Sequence, residues 1–86
     1  MSRYRLEIRP AVEKTLRKIR DAQLQQRLDA AFEKLSENPR RQGAEKMSGF
    51  DNRYRFRTGD YRIVYRIADA TAIVVRVAHR REVYQK

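Results

Sequence analysis

Cysteine is absent from these 86 residues, which excludes a disulfide framework and a thiolate zinc site. The absence fits a reducing cytoplasm, where the protein is expected to reside. No apolar run approaches the roughly 20 residues that a membrane-spanning helix needs. The opening Met1-Ser2-Arg3-Tyr4-Arg5-Leu6-Glu7 contains no apolar signal-peptide core, so no membrane association is expected. Histidine occurs once, at His79, and Asp60 is isolated from other ligand types. Neither residue belongs to a metal-ligand set, and no metal or cofactor is expected. Acidic residues are scarce: 11 stand against 21 lysines and arginines, for a net charge of +10. Such an excess calls for an anionic partner.

The cations present are mostly of one kind. Arginine accounts for 16 of them and lysine for 5. Guanidinium is permanently charged and forks onto phosphate or carboxylate, which an ammonium does not do. From Arg53 to Lys86 there are nine basic residues against three acidic ones, Asp60, Asp69 and Glu82. Their spacing is as informative as their number. Strand side chains alternate between faces. In Arg53-Tyr54-Arg55-Phe56-Arg57, Tyr54 and Phe56 point one way and the arginines the other. Tyr61, Ile63, Tyr65 and Ile67 then share one face, and Arg62, Val64 and Arg66 share its opposite. A solvated sheet face would normally mix charges of both signs, and this one scarcely does. The pattern points to a polyanion, with RNA as the best fit.

A hydrophobic fraction of 41% supports a globular fold in spite of 37% charged residues. The length suits one domain spanning residues 1–86. Tyr4, Leu6 and Ile8 alternate with charged residues as a first strand. Pro10 occupies a favoured first-turn position of a helix, and Val12, Leu16 and Ile19 follow at helical spacing. Leu24, Leu28, Ala31, Phe32 and Leu35 form a stripe of 3.6-residue period, with Asp21 able to cap that second helix. Asn38-Pro39 ends it. Residues 39–52 show no period and read as a loop. Three strands follow, at about 53–57, 61–67 and 72–79. The expected class is α+β with the order β-α-α-β-β-β: a small, mostly antiparallel four-stranded sheet with a helical hairpin packed on one face. Tyr54, Tyr61 and Tyr65 fall at core spacing. Lys14, Arg17, Lys18 and Arg20 read as a solvated helix face.

These pieces together resemble the RelE/ParE superfamily of toxin–antitoxin toxins, and more closely its RelE-like branch. The resemblance runs through Tyr4-Arg5-Leu6, Glu37-Asn38-Pro39-Arg40 and Lys46-Met47-Ser48-Gly49. It continues through Tyr54-Arg55-Phe56-Arg57 and Gly59-Asp60-Tyr61-Arg62-Ile63-Val64-Tyr65 to Ala78-His79-Arg80-Arg81-Glu82-Val83-Tyr84. It implies a ribosome-dependent messenger-RNA endonuclease acting in the ribosomal A site. It also implies a cognate antitoxin that covers the basic surface, and a complex that binds operator DNA through the antitoxin. By motif, the arginine of the family's G-x-Y-R element falls on Arg62, the arginine after the last strand on Arg80, and the C-terminal tyrosine on Tyr84. The family's two strand lysines fall on Arg55 and Arg57.

Cleavage of this kind uses the RNA's own 2′-hydroxyl as nucleophile, so the protein supplies alignment, electrostatic stabilisation and proton transfer. Arg62 and Arg80 suit the nonbridging phosphate oxygens. Arg53, Arg55, Arg57, Arg66 and Arg81 suit the RNA backbone. Arginine does not deprotonate, so Arg55 and Arg57 cannot be the general base. That leaves His79, Glu82 and Tyr84 as proton carriers, with Tyr84 favoured by its motif position and His79 by its intrinsic pKa. Two alternatives stand beside this reading: a ParE-like toxin acting on DNA gyrase, and a noncatalytic RNA-binding module of the same fold.

Overall fold

Two helices carry the chain across one face of a sheet, from one edge to the other. The computed structural model describes residues 3–49, 52–79 and 81. In chain order the elements are β1 (Arg5–Ile8), α1 (Pro10–Arg17), α2 (Ala22–Glu37), β2 (Ala44–Lys46), β3 (Arg53–Thr58), β4 (Tyr61–Ala68) and β5 (Thr71–His79). The strands lie in the order β1-β5-β4-β3-β2. β1 pairs parallel to β5, and the remaining pairs are antiparallel.

Local chemistry sets the helix ends. Pro10 opens α1, where its missing N–H costs nothing because the first-turn donors have no partner within the helix. Asp21 caps α2 by accepting from the backbone N–H groups of Gln23 at 3.0 Å and Leu24 at 3.2 Å. Asn38, in extended conformation, ends it. The C-terminal turn of α2 is tied to the start of the sheet: Tyr4 N–H donates to the Ser36 carbonyl and Ser36 Oγ donates to the Tyr4 carbonyl.

The helical stripe and the apolar strand face meet as expected. Val12, Leu28, Ala31, Phe32 and Leu35 pack on Ile63, Tyr65, Ile67, Ala72, Val74 and Val77, with Tyr54, Phe56 and Tyr61 at the margin. α1 lies on β5, and α2 reaches over β1 and β3. Complete burial of a leucine or isoleucine contributes roughly 1.5–3 kcal/mol, and Leu28, Leu35 and Ile63 are all essentially inaccessible.

Two features depart from the expected pattern. The sheet has five strands, because residues 44–46 of the segment read as a loop pair with β3. Three residues are too few to show a period of two. β2 forms because the edge of β3 presents backbone donors and acceptors that it can pair. The second departure is a bulge between β4 and β5. Val64 pairs with Arg76, but the next residue, Tyr65, pairs with Val74, so Val75 is an additional residue in β5. Strict alternation from buried Ala72 and Val74 would drive Arg76 into the core. The bulge instead leaves Arg76 exposed and buries Val77.

Candidate RNA-binding face

The face of the sheet turned away from the helices is built largely of arginine. In the β3–β4 register Arg53 lies opposite Arg66, Arg55 opposite Val64, and Arg57 opposite Arg62. On the far side of β4, Arg76 lies opposite Val64. Arg5 on β1 shares this face by register with Thr71. Directly opposed like charges destabilise a sheet pair, on the scale of about 0.2–1 kcal/mol.

At the β2 edge this face forms a cleft of about 560 Å³, lined by Gly43, Ala44, Glu45, Arg55, Arg57 and Arg62. Arg62 is 5% exposed and is the one charged side chain buried among the described residues. Glu45 lies opposite Arg55 in the register, and Arg55 Nη2 reaches Glu45 Oε1 at 3.0 Å. The glutamate was missed in the sequence because its segment read as loop. The signal that could have exposed it is a lone carboxylate between Gly43 and Lys46, placed next to an arginine-rich strand.

The structure brings Arg55, Arg57 and Arg62 together and continues their face through Arg53 and Arg66. It places His79 elsewhere. His79 pairs with Tyr61 in the register, and their rings meet edge to face with centroids 5.4 Å apart. Tyr61 packs against the core, so His79 lies at the margin of the helix-covered face. The bulge at Val75 causes this: strict alternation from Ala72 would have put His79 on the arginine face. The Arg81 backbone N–H donates to His79 Nδ1 at 3.2 Å, which fixes the neutral ring as the Nε2–H tautomer. Arg81 is exposed. Arg80, Glu82 and Tyr84 lie outside the described residues.

Behind the cleft, a tyrosine–arginine group secures the loop that leads to β2. The buried Tyr65 hydroxyl donates to the Pro39 carbonyl at 2.5 Å. Burial raises the Tyr65 pKa well above the usual phenol range, and neighbouring Tyr54 adds to the rise while Arg40 opposes it. The Tyr54 and Tyr65 rings stack with centroids 5.9 Å apart. The exposed Arg40 is held more firmly in its charged form by hydrogen bonding to Tyr54 and Tyr4, with its Nη1 donating to the Tyr4 hydroxyl at 3.2 Å. Among the described residues, no three His, Asp or Glu side chains gather as a metal-ligating group. No helix among the described residues is long and apolar enough to cross a membrane.

The fold, a five-stranded open sheet with two helices on one face, matches that of solved RelE toxins. Three solved complexes illustrate the likeness. A RelBE-type toxin–antitoxin complex from Mycobacterium tuberculosis contains a chain 29% identical, with a TM-score of 0.74, covering 91% of this chain and 99% of that one. A RelB–RelE antitoxin–toxin complex from Methanococcus jannaschii contains one 27% identical, with a TM-score of 0.73 and coverages of 91% and 94%. An archaeal RelE–RelB complex from Pyrococcus horikoshii contains one 26% identical, with a TM-score of 0.77 and coverages of 90% and 94%. A comparison with curated proteins found no match. Residues 6–84 match the family described as the ParE toxin of the type II toxin–antitoxin system parDE. The chain belongs to that family and is a RelE/ParE superfamily toxin of a type II toxin–antitoxin system with RelE-like structure.

Proposed function

We propose that this toxin is an endoribonuclease that cuts messenger RNA in the ribosomal A site and so arrests translation. The observation that carries the reading is the convergence of Arg55, Arg57 and Arg62 on one cleft at the end of an arginine-covered face. Three guanidiniums around one cavity suit a phosphodiester whose negative charge increases in the transition state. Arg62, buried and therefore held in place, and Arg57 opposite it contact the nonbridging oxygens. Arg53 and Arg66 hold the adjoining backbone, with Arg81 beyond the strand end. Arg80 and Tyr84 keep the roles their motif positions imply, as phosphate ligand and as a carrier of protons between the cleavage site and water. His79, packed on Tyr61, fixes the end of β5 and acts on the substrate only through it.

The partner that restrains this activity is a cognate antitoxin. The similar structures named above are complexes of that kind, and a net charge of +10 favours an acidic binding surface. Operator DNA is bound by the complex, through the antitoxin. Mapping transcript 5′ ends across the genome after induction tests the function: new ends inside translated frames are expected. A second reading, inhibition of DNA gyrase, is favoured by the ParE description of the matching family. Intact transcripts together with stalled replication would establish it in place of the nuclease.

A further inference from the structure

The cleft is lined by three guanidiniums and one carboxylate. Arginine does not serve as a proton acceptor in proteins. Gly43 and Ala44 contribute no titratable side chain. Glu45 is thus the one proton acceptor among the described residues lining the cleft. Its carboxylate is directed there by the register of β2 on β3, which puts it opposite Arg55 on the arginine face. It is also accessible, with its side chain 69% exposed against 28% for Arg55. The Arg55 contact is made to Oε1, and a carboxylate carries acceptor lone pairs on both oxygens.

We infer that Glu45 is the general base of the cleavage reaction. The inference rests on the nuclease reading above and adds a group that the motif comparison does not supply. Glu45 accepts the proton of the 2′-hydroxyl as that oxygen attacks the adjacent phosphorus. The bond from phosphorus to the 5′-oxygen breaks, and the 5′-oxygen departs with the electron pair and takes a proton from water. The products are a 2′,3′-cyclic phosphate and a 5′-hydroxyl, and the protonated carboxyl returns its proton to solvent. Arg57 and Arg62 face the phosphorane oxygens meanwhile. Arg55 holds Glu45 in position through the contact to Oε1. The charged groups facing Glu45 are Arg55 and Arg57 from β3 and Arg62 from β4, while Lys46 alternates to the opposite face of its own strand.

The test is single-turnover cleavage of message on programmed ribosomes by the parental toxin, Glu45→Gln, Glu45→Asp and Glu45→Ala. Both Glu45→Gln and Glu45→Ala should cleave roughly 100- to 10,000-fold more slowly, while binding the ribosome at least as tightly because one negative charge is gone. Glu45→Asp should retain part of the rate. Added formate should restore Glu45→Ala in a concentration-dependent way that chloride at equal ionic strength does not reproduce. Glu45→Gln is nearly isosteric, so it decides the matter if Glu45→Ala does not fold. Parental rates in Glu45→Gln, or a slow Glu45→Ala that formate leaves unchanged, would overturn the assignment and leave the nuclease reading in place. Failure of the parental toxin to cut ribosome-bound message would overturn both.

Discussion

Arg57 and Arg62 stand directly opposite each other across β3 and β4, on the face turned away from the helices. One is exposed and the other almost fully buried, so substituting them should have different effects. Arg62→Ala removes a positioned guanidinium and should slow cleavage by about 100- to 1,000-fold. Arg57→Ala also lowers the rate. It should leave thermal stability unchanged or slightly raised, because it relieves a like-charge pair. Single-turnover kinetics and thermal melts of the two variants check this. A parental cleavage rate for Arg62→Ala would remove the cleft from the mechanism.

The arginine face predicts a salt dependence that individual residues should alter. Binding of single-stranded RNA weakens with salt, with a log–log slope near −0.7 for each phosphate contact. Arg53→Ala and Arg66→Ala should each make that slope shallower by about 0.7, read by fluorescence anisotropy across a salt series. Arg17→Ala is the control, since Arg17 is exposed on α1, across the sheet from these residues. An equal change for Arg17→Ala would move the RNA-binding surface to the helices.

Tyr65 makes the fold sensitive to alkali. Its pKa is raised on folding, so the native state keeps a proton that the unfolded chain loses near the ordinary phenol pKa of about 10. The stabilisation is fully present below that value and is lost as pH rises toward the higher folded pKa. Within that window this one group should lower stability by up to about 1.4 kcal/mol per pH unit. Tyr65→Phe abolishes the hydroxyl bond to Pro39 and should cost about 1 kcal/mol near neutral pH. The same variant should unfold less steeply than the parent above pH ~10, as urea midpoints at several pH values would show.

Legibility in the sequence followed the length and regularity of each element. The α2 stripe and the β3–β4 alternation extend over enough residues to show a period, and the core they imply is the core observed. β2 is too short for that, and its presence depends on a partner edge some ten positions further along the chain. Glu45 was hidden for the same reason. The bulge was hidden because counting by twos assumes that no residue is inserted. Arg76 still carried a sign of it: a charge stands in the middle of Ala72–Ala78, at a position that strict alternation would bury. The same count by twos would put His79 on the arginine face, whereas the register pairs it with Tyr61.

The extra residue in β5 also distinguishes two kinds of genetic change. Point substitutions at 76, 77, 78 or 79 alter one side chain and leave its direction alone. Loss of the single codon for Val75 would remove the bulge and leave all four facing as they do, with Arg76 still opposite Val64 and Val77 still opposite Ile63. The strand should therefore tolerate loss of that one residue, whereas loss of one residue beyond Arg76 would turn over those that follow it. Lineages that change the length beyond Arg76 must compensate within the same strand before the toxin folds again.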